Sequence, residues 1–527
     1  MTGLRMGKTL LYIILCLPLF SIAQNNDPYF TKGVELYNNK DYSGALDYFT
    51  KEIELNPTNL EAYNYKGIIK AQQGDLPGAV EVFSKEITAN PNADLPYANR
   101  AYAELNLKNY KQAIADCDRA LALNPKNENA FINRGNAKNG LGDYHGAIAD
   151  FKQLLQLDPN NANAYVNLGN SKNDLEDFKG ALEDLNKAID LDPKSTDAFL
   201  DRGVSKSNLK DNYGAIDDYT KAIALSPGLA AAYLDRGLEK AELNNDADAM
   251  ADLNQAITID PKFSEAYVKR GALNVKLGNF GTAGSDLSQA IILGPNNPDA
   301  YFSRAEARLR LNDNDGALAD FTKAISLNPD FTTAYHDRGC VKNAMGDYAG
   351  AIEDLSHAIV LAPKTESAYY NRAIARFAIH QNVEAIDDLN RAIAINPDYG
   401  DALYYRAAVS MGMNDFVAAI PDLDKAIAQN INLPFAYYMR GYANVVAKRN
   451  TAAMADLNKA IELGPSNGAA YFTRGKLFIA LNNKLAGKAD ITKAAALGDK
   501  EADFYLKNIN QKHKSSSPSN NWVVWKK

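Results

Sequence analysis

Cysteine is nearly missing from this chain: Cys16, Cys117 and Cys340 are the three among 527 residues. That excludes a disulfide-built scaffold. Histidine is almost as scarce, at five. His145, His336, His357, His380 and His513 show no spacing that collects metal ligands, and the sequence contains no HExxH. It also contains no P-loop and no Rossmann fingerprint. These absences predict a protein that is not an enzyme, with no catalytic residue, no metal and no cofactor. An excess of positive charge is lacking too: the formal net charge is −7. Phosphate backbones need a basic surface, so nucleic acid is excluded as partner.

Long apolar runs are confined to one place. Leu10 to Phe20 ("LLYIILCLPLF") follows the basic Arg5 and Lys8 and precedes "SIA", Ser21 to Ala23. A basic start, a short apolar stretch and a small-x-small site make a secretory leader, residues 1–23, cleaved after Ala23. The run is too short to span a bilayer, which takes about 20 residues. Cys16 sits inside it after Ile14 and Leu15, where a lipoprotein leader requires a small residue. The expectation is an exported protein, periplasmic or secreted, with no transmembrane segment in the mature chain. Removal of Arg5 and Lys8 takes the net charge from −7 to −9.

What the sequence has in abundance is a period. Pro57, Pro91, Pro125, Pro159, Pro193, Pro227 and Pro261 follow one another at intervals of 34, and Pro295, Pro329, Pro363 and Pro397 continue the step. Ile431 and Asp499 replace proline, with Pro465 between them. Fourteen units of 34 residues fit residues 26–501 without insertion or deletion. A second column holds only glycine or alanine, from Gly33, Gly67 and Ala101 to Gly441 and Gly475. A third runs from Ala45 to Ala453 and ends in Gly487. Small residues recurring in two columns predict two helices per unit that approach closely there. In the fourth unit the spacing predicts one helix over about Glu128–Leu141, a turn at Gly142–Tyr144 and a second helix over His145–Leu157. Ala147, Ile148, Phe151, Leu154 and Leu155 supply the buried stripe of the second.

Phe131, Gly135, Ala147, Phe151 and Pro159 stand in register with W-x2-L-G-x2-Y…A-x3-F…P. The chain therefore resembles the tetratricopeptide repeat family over all fourteen units. The resemblance implies an all-α fold, a right-handed superhelical α-solenoid of helix-turn-helix repeats. It also implies a concave groove lined by the first helix of each unit. In such an elongated array Cys117 and Cys340 lie too far apart to bond and are expected as free thiols. Residues 502–514 read as a half-unit capping helix. Residues 515–527 read as a flexible tail carrying Trp522 and Trp525, the only tryptophans.

Two departures from the family pattern recur. Arginine replaces the family leucine in eleven units, from Arg100 and Arg134 through Arg202 and Arg236 to Arg474, with Lys32, Lys66 and Leu168 in the others. An aspartate column runs from Asp116 and Asp150 through Asp218 and Asp252 to Asp490. A catalytic group is needed once, so repetition marks these residues as architecture. The expectation is a ladder, Arg134 with Asp150, Arg202 with Asp218 and Arg236 with Asp252, formed within a unit or across to the preceding one. The planar guanidinium fork suits a carboxylate in a way lysine does not.

Selectivity must then come from columns that vary. Asn133, Asn136, Asn139, Asn167, Asn170 and Asn173 form trios spaced by three on first helices. Asn133, Asn136, Asn167 and Asn170 are candidates to hold a peptide backbone, since an amide both donates and accepts. Tyr370, Tyr404, Tyr438 and Phe472 share one column, with Tyr442 nearby, and are candidate anchors of a partner. The functional expectation is a non-catalytic scaffold that binds a protein or an extended peptide outside the cytoplasm. The alternative is an accessory component of polysaccharide or cell-envelope assembly, binding glycan or envelope enzymes, with the same rings stacked on sugars.

Overall fold

The computed structural model describes residues 27–512. The leader with its cleavage site after Ala23, residues 513–514 of the expected cap, and the tail 515–527 lie outside them. Among the described residues there are 29 α-helices and no strand. Twenty-eight pair into fourteen hairpins, from Pro28–Asn38 with Tyr42–Leu55 to Gly468–Ala480 with Lys484–Ala496, and Lys500–Lys512 follows. None is long and apolar enough to cross a membrane. The fold is an all-α repeat solenoid. The chain divides into two compact units, Met1–Leu273 and Asn274–Lys527, each taken by itself below.

The fourth hairpin shows how local chemistry sets each element. Asn127 caps the first helix, Glu128–Gly140, by accepting from the Ala130 amide at 2.9 Å. That helix stops one residue short of the prediction. Leu141 serves as its cap, and Gly142 then turns at φ +80°, where L side chains are disfavoured. The second helix, Tyr144–Leu157, starts one residue early because Asp143 caps it, accepting from the Gly146 amide at 2.9 Å. A Cβ on Gly146 would fall 2.1 Å from that carboxylate as it stands, so this close cap favours glycine, while Ala418 at the same place bonds Asp415 at a longer 3.2 Å.

The glycine column has a more particular cause than helix approach alone. A Cβ on Gly135 would meet the Phe151 ring at 2.6 Å, and one on Gly203 the Tyr219 ring at 2.5 Å. The second helix thus lays its largest side chain on the bare backbone of the first. Phe151 is fully buried as a result, as are Ala147 and Leu154. Burying such a ring stabilises each hairpin by roughly 1.5–3 kcal/mol. First helices also lie beside first helices of the adjoining hairpin, for example Leu95–Asn106 beside Glu128–Gly140 and Ala162–Asp174 beside Thr196–Asn208. First helices adjoin one another in this way from Leu60–Gln72 to Thr196–Asn208 and from Thr332–Met345 to Gly468–Ala480.

Candidate functional site

Ten arginines of the repeated column grip the aspartate sixteen residues ahead, in the same hairpin. In every case Nε and Nη2 donate to the two carboxylate oxygens, at 2.7–3.0 and 2.6–2.9 Å. The remaining Nη1 reaches back to the second helix of the preceding hairpin. Arg134 donates there to Asp118 at 2.7 Å, Arg202 to Asn186 at 2.7 Å and Arg236 to Thr220 at 3.1 Å. One guanidinium therefore ties two hairpins together, which a single ammonium cannot do in that geometry. Aromatic rings one turn before back it, with Arg134 5.7 Å from the Phe131 centroid and Arg202 5.5 Å from that of Phe199. A second cation, invisible to the sequence reasoning, completes the carboxylate. Lys138 pairs with Asp150 at 2.8 Å, Lys206 with Asp218 and Lys240 with Asp252, both at 2.7 Å. Its signal was the replacement of the family tyrosine by Lys or Arg in eight units. Burial alone raises the Asp218 carboxyl, yet Arg202 and Lys206 outweigh it and hold the group below the ordinary carboxylate range.

Leu168 breaks the ladder and shows what the arginine supplies. Asp184 is left with Lys172, and here burial wins and its carboxyl is raised. The break is compensated within the sequence. Sixteen residues before each arginine stands its acceptor in the preceding hairpin, but sixteen before Leu168 stands Lys152. An arginine at 168 would face that like charge. Leu168 instead packs on Ala147 and Phe151, 3% exposed. The double replacement Lys152→Asp with Leu168→Arg is expected to be more stable than the two single changes predict, by about 1–3 kcal/mol. Amide exchange in helices Tyr144–Leu157 and Ala162–Asp174, compared across all four proteins, measures this coupling. Single effects that simply add would show that Nη1 does not link hairpins.

The asparagine trios on the first-helix face of Met1–Leu273 are largely used within the protein. Asn133 is buried, 5% exposed, and donates to the Ala98 carbonyl of the neighbouring first helix at 3.1 Å. Its expected role as an open peptide contact is corrected: it lies in the seam between two helices. Asn139 and Ser171 exchange hydrogen bonds at 2.9 and 3.1 Å, and Asn173 donates to the Asp201 carbonyl at 3.0 Å. Asn170 reaches Asp201 at 3.4 Å. Asn136 and Asn167 are half-buried and make no side-chain hydrogen bond among the described residues. Beside them the face turns acidic, which the sequence reading did not anticipate. Burial and the nearby Asp197 and Asp174 charges push the Asp201 carboxyl up to about 8, against the Asn170 amide. Asp174 and Asp197 are themselves raised by burial, and so is Glu239, which accepts from Ser207.

On the first-helix face of Asn274–Lys527 the aromatic rings meet one another. The Tyr370 centroid lies 5.2 Å from Tyr399 and 5.4 Å from Tyr405, the latter edge-on. Tyr404 touches Tyr405 at 6.1 Å and accepts from Asn432 at 3.1 Å. Tyr438 lies 6.4 Å from Tyr442, and burial pushes its hydroxyl up to about 12. Tyr370, Tyr404, Tyr405, Tyr438 and Tyr442 are half-buried, while Phe435 stands 54% exposed. Phe472 differs. It is 8% exposed, packed on Ile491, Ala494 and Ala502, with Tyr505 of the last helix 6.0 Å away. Its assignment as a partner contact is corrected, because the terminal helix already covers it. No group of three or more His, Cys, Asp or Glu among the described residues is placed to hold a metal ion.

Geometry of this kind defines a class: a helical-hairpin solenoid whose repeated charges are internal and whose varied residues lie on one helix row. The description "Tetratricopeptide repeat" matches residues 30–94, 96–127, 162–195, 230–263, 298–331, 336–400 and 407–468, and "TPR repeat" matches 135–172. The chain belongs to the tetratricopeptide repeat family. Arrays of this family bind proteins or peptides and are generally non-catalytic, so its functional class is a protein–protein interaction scaffold. Among solved structures the chain is similar to the APC/C hetero-tetramer Cut9–Hcn1, at 15% identity over 90% of this chain and 94% of that one, with a TM-score of 0.44. It is also similar to YrrB, described as a TPR protein with an unusual peptide-binding site, at 23% identity over 36% and 97%, TM-score 0.32. Yeast Tom70 matches at 21% identity over 82% and 98%, TM-score 0.34. No curated protein sequence matches it.

Proposed function

We propose that this scaffold holds an extended protein segment against its first-helix face, outside the cytoplasm. The observation that carries the reading is a division of labour. The recurring Arg, Lys and Asp are consumed between the helices of hairpins, whereas the half-buried Asn136, Asn167, Tyr404, Tyr405 and Tyr442 all sit on first helices. The first-helix rows of the two units offer different chemistries. Asn136 and Asn167 present free amides on the stretch where Asn170 meets the Asp201 carboxyl, which suits the backbone of a polar stretch. The tyrosines offer edges and hydroxyls for apolar side chains. An anchored ring contributes about 2 kcal/mol or more, against about 0.5–1.5 for a neutral hydrogen bond, so the aromatic stretch should carry most of the affinity. The leader motif supports export.

The test uses the full chain and a library of extended peptides, with soluble oligosaccharides as the competing class. Binding of the best peptide is expected to weaken at least tenfold in Tyr404→Ala/Tyr405→Ala and two- to fivefold in Asn136→Ala/Asn167→Ala. Unchanged peptide affinity in the tyrosine variant would remove the aromatic stretch from the reading. Binding of oligosaccharide but of no peptide would replace the reading by the glycan-binding alternative.

A further inference from the structure

We propose that Cys340 is a thiol–disulfide exchange site on the first-helix face, served by His336 and reached through the open cavity at its side. The inference does not depend on which partner the scaffold holds. Cys340 lies on helix Thr332–Met345, and His336 precedes it by one turn, so the two side chains share a face. The thiol sulfur stands 3.9 Å from the His336 ring nitrogens. Asp337 Oδ1 lies 2.8 Å from His336 Nδ1 and fixes the ring, and the Asn371 amide lies 3.3 Å from Nε2. The arrangement sets a thiol beside an imidazole that Asp337 holds in place and keeps charged. A cavity of about 250 Å³ opens here, lined by Leu309, Asn314, Asp337, Cys340, Val341 and Ala344. It gives a small molecule access to the sulfur. The bond with Asp337, and then the contact with Cys340, hold the imidazole well above its ordinary range, at about 10. The ring is therefore an imidazolium at neutral pH, a cation beside the sulfur. Two histidine-bearing positions elsewhere, His145 and His357, have no cysteine one turn away.

The chain carries its own control. Cys117 is fully buried, packed among Ala113 and Ala120, and burial raises its thiol. Reactive thiols are partly exposed and lie beside a cation; inert ones are buried in apolar surroundings. The proposed step needs a disulfide as co-reactant. The Cys340 thiol gives its proton to water, and the thiolate, beside the His336 cation, attacks one sulfur of the disulfide R–S–S–R. The Cys340–S–S–R bond forms as the S–S bond of the reagent breaks, and the departing thiolate takes the proton back from water as R–SH. Nothing is oxidised or reduced overall. The adduct would stand between helices Pro298–Arg310 and Glu366–Ala378 and obstruct that part of the face.

The test treats the folded full-length protein with oxidised glutathione and maps the cysteine-containing peptides by mass. Cys340 is expected to gain one glutathione at least tenfold faster than Cys117, and the two rates should converge once the protein is unfolded. His336→Gln should slow the Cys340 reaction at least tenfold, and Asp337→Asn threefold or more. Continued protection of Cys117 in each variant verifies that the fold is intact. Equal rates at Cys340 and Cys117 in the folded protein would overturn the proposal. So would a His336→Gln protein, still protecting Cys117, that reacts at Cys340 within twofold of the original.

Discussion

Asp218→Ala is expected to cost about 3–5 kcal/mol locally, because breaking a buried ion cluster from one side strands the other charges. Asp218 is fully buried and binds both Arg202 and Lys206. Without it Arg202 keeps one acceptor, Asn186, on the preceding hairpin. The loss falls on a single hairpin of a repeat array, and such arrays do not unfold as one unit. Amide exchange in helices Thr196–Asn208 and Asn212–Leu225 is therefore the measurement, with protection expected to fall a hundredfold or more there. Asp118→Ala is the control. That carboxylate also meets an arginine, Arg134, at 2.7 Å, but is 57% exposed, and exposed pairs contribute about 0–1 kcal/mol. Equal effects at the two sites would mean that burial does not set the strength of the ladder.

The pH dependence follows from the direction in which Asp218 is displaced. Its folded-state value is depressed, so its contribution is complete above the ordinary carboxylate value of about 3.9. It fades as pH falls through the lower folded value. The gap between the original protein and Asp218→Ala should thus be constant near neutrality and close only in acid. Asp184 lacks an arginine and its carboxyl is raised, so its contribution moves the opposite way, weakening as pH rises above that ordinary value.

Much of the fold was legible because its period is strict. Small residues, caps and prolines recur at one spacing, and any residue needed in fourteen places announces itself. The partners of the ladder were legible as columns, but not the second cation, Lys or Arg, that joins six of the ten gripped aspartates. Phase along the chain does not say which way a long side chain leans across a hairpin. The asparagines were harder. Spacing by three places Asn133, Asn136 and Asn139 near one face of a helix, but that face has an open centre and an edge against the next first helix. Asn133 and Asn139 fall on edges and are spent on Ala98 and Ser171, while Asn136 does not. A few tens of degrees of helix rotation separate these outcomes, and no single sequence records them. Phe472 shares its column with Tyr370 yet is buried, because the helix that follows its hairpin is the terminal one, which presents Tyr505 and Ala502 to it. The pairing of His336 with Cys340 was readable as a one-turn spacing, but only the cavity beside it distinguishes it from two unrelated residues.

Glu86→Ala is expected to stabilise the second hairpin, and to do so more as pH rises. Glu86 lies in helix Leu76–Ala89, 5% exposed, and its Oε2 has no hydrogen-bond partner among the described residues. Burial pushes its carboxyl up to about 8. The corresponding Glu52 in the first hairpin accepts from Asn59 at 2.7 Å, whereas Ala93 occupies the place of that asparagine in the second. Later hairpins put an apolar residue there, Leu154 in the fourth and alanine in the others, with Ala120, Leu154, Ala188 and Ala222 each fully buried. Between the unfolded value of about 4.3 and the folded one, the folded state binds more protons than the unfolded chain, so stability falls as pH climbs through that interval. Near pH 4 the variant should be weaker by about 2 kcal/mol, having lost only packing. By pH 8 it should be ahead by on the order of 3 kcal/mol. Keeping the proton on Glu86 costs about 1.36 kcal/mol for each pH step between the two values, and the packing loss is subtracted from that sum. Amide exchange in Leu76–Ala89, measured across this range, reads the crossover directly. A difference between the two proteins that stays flat from pH 4 to pH 8 would show that Glu86 is not forced to choose between burial and charge.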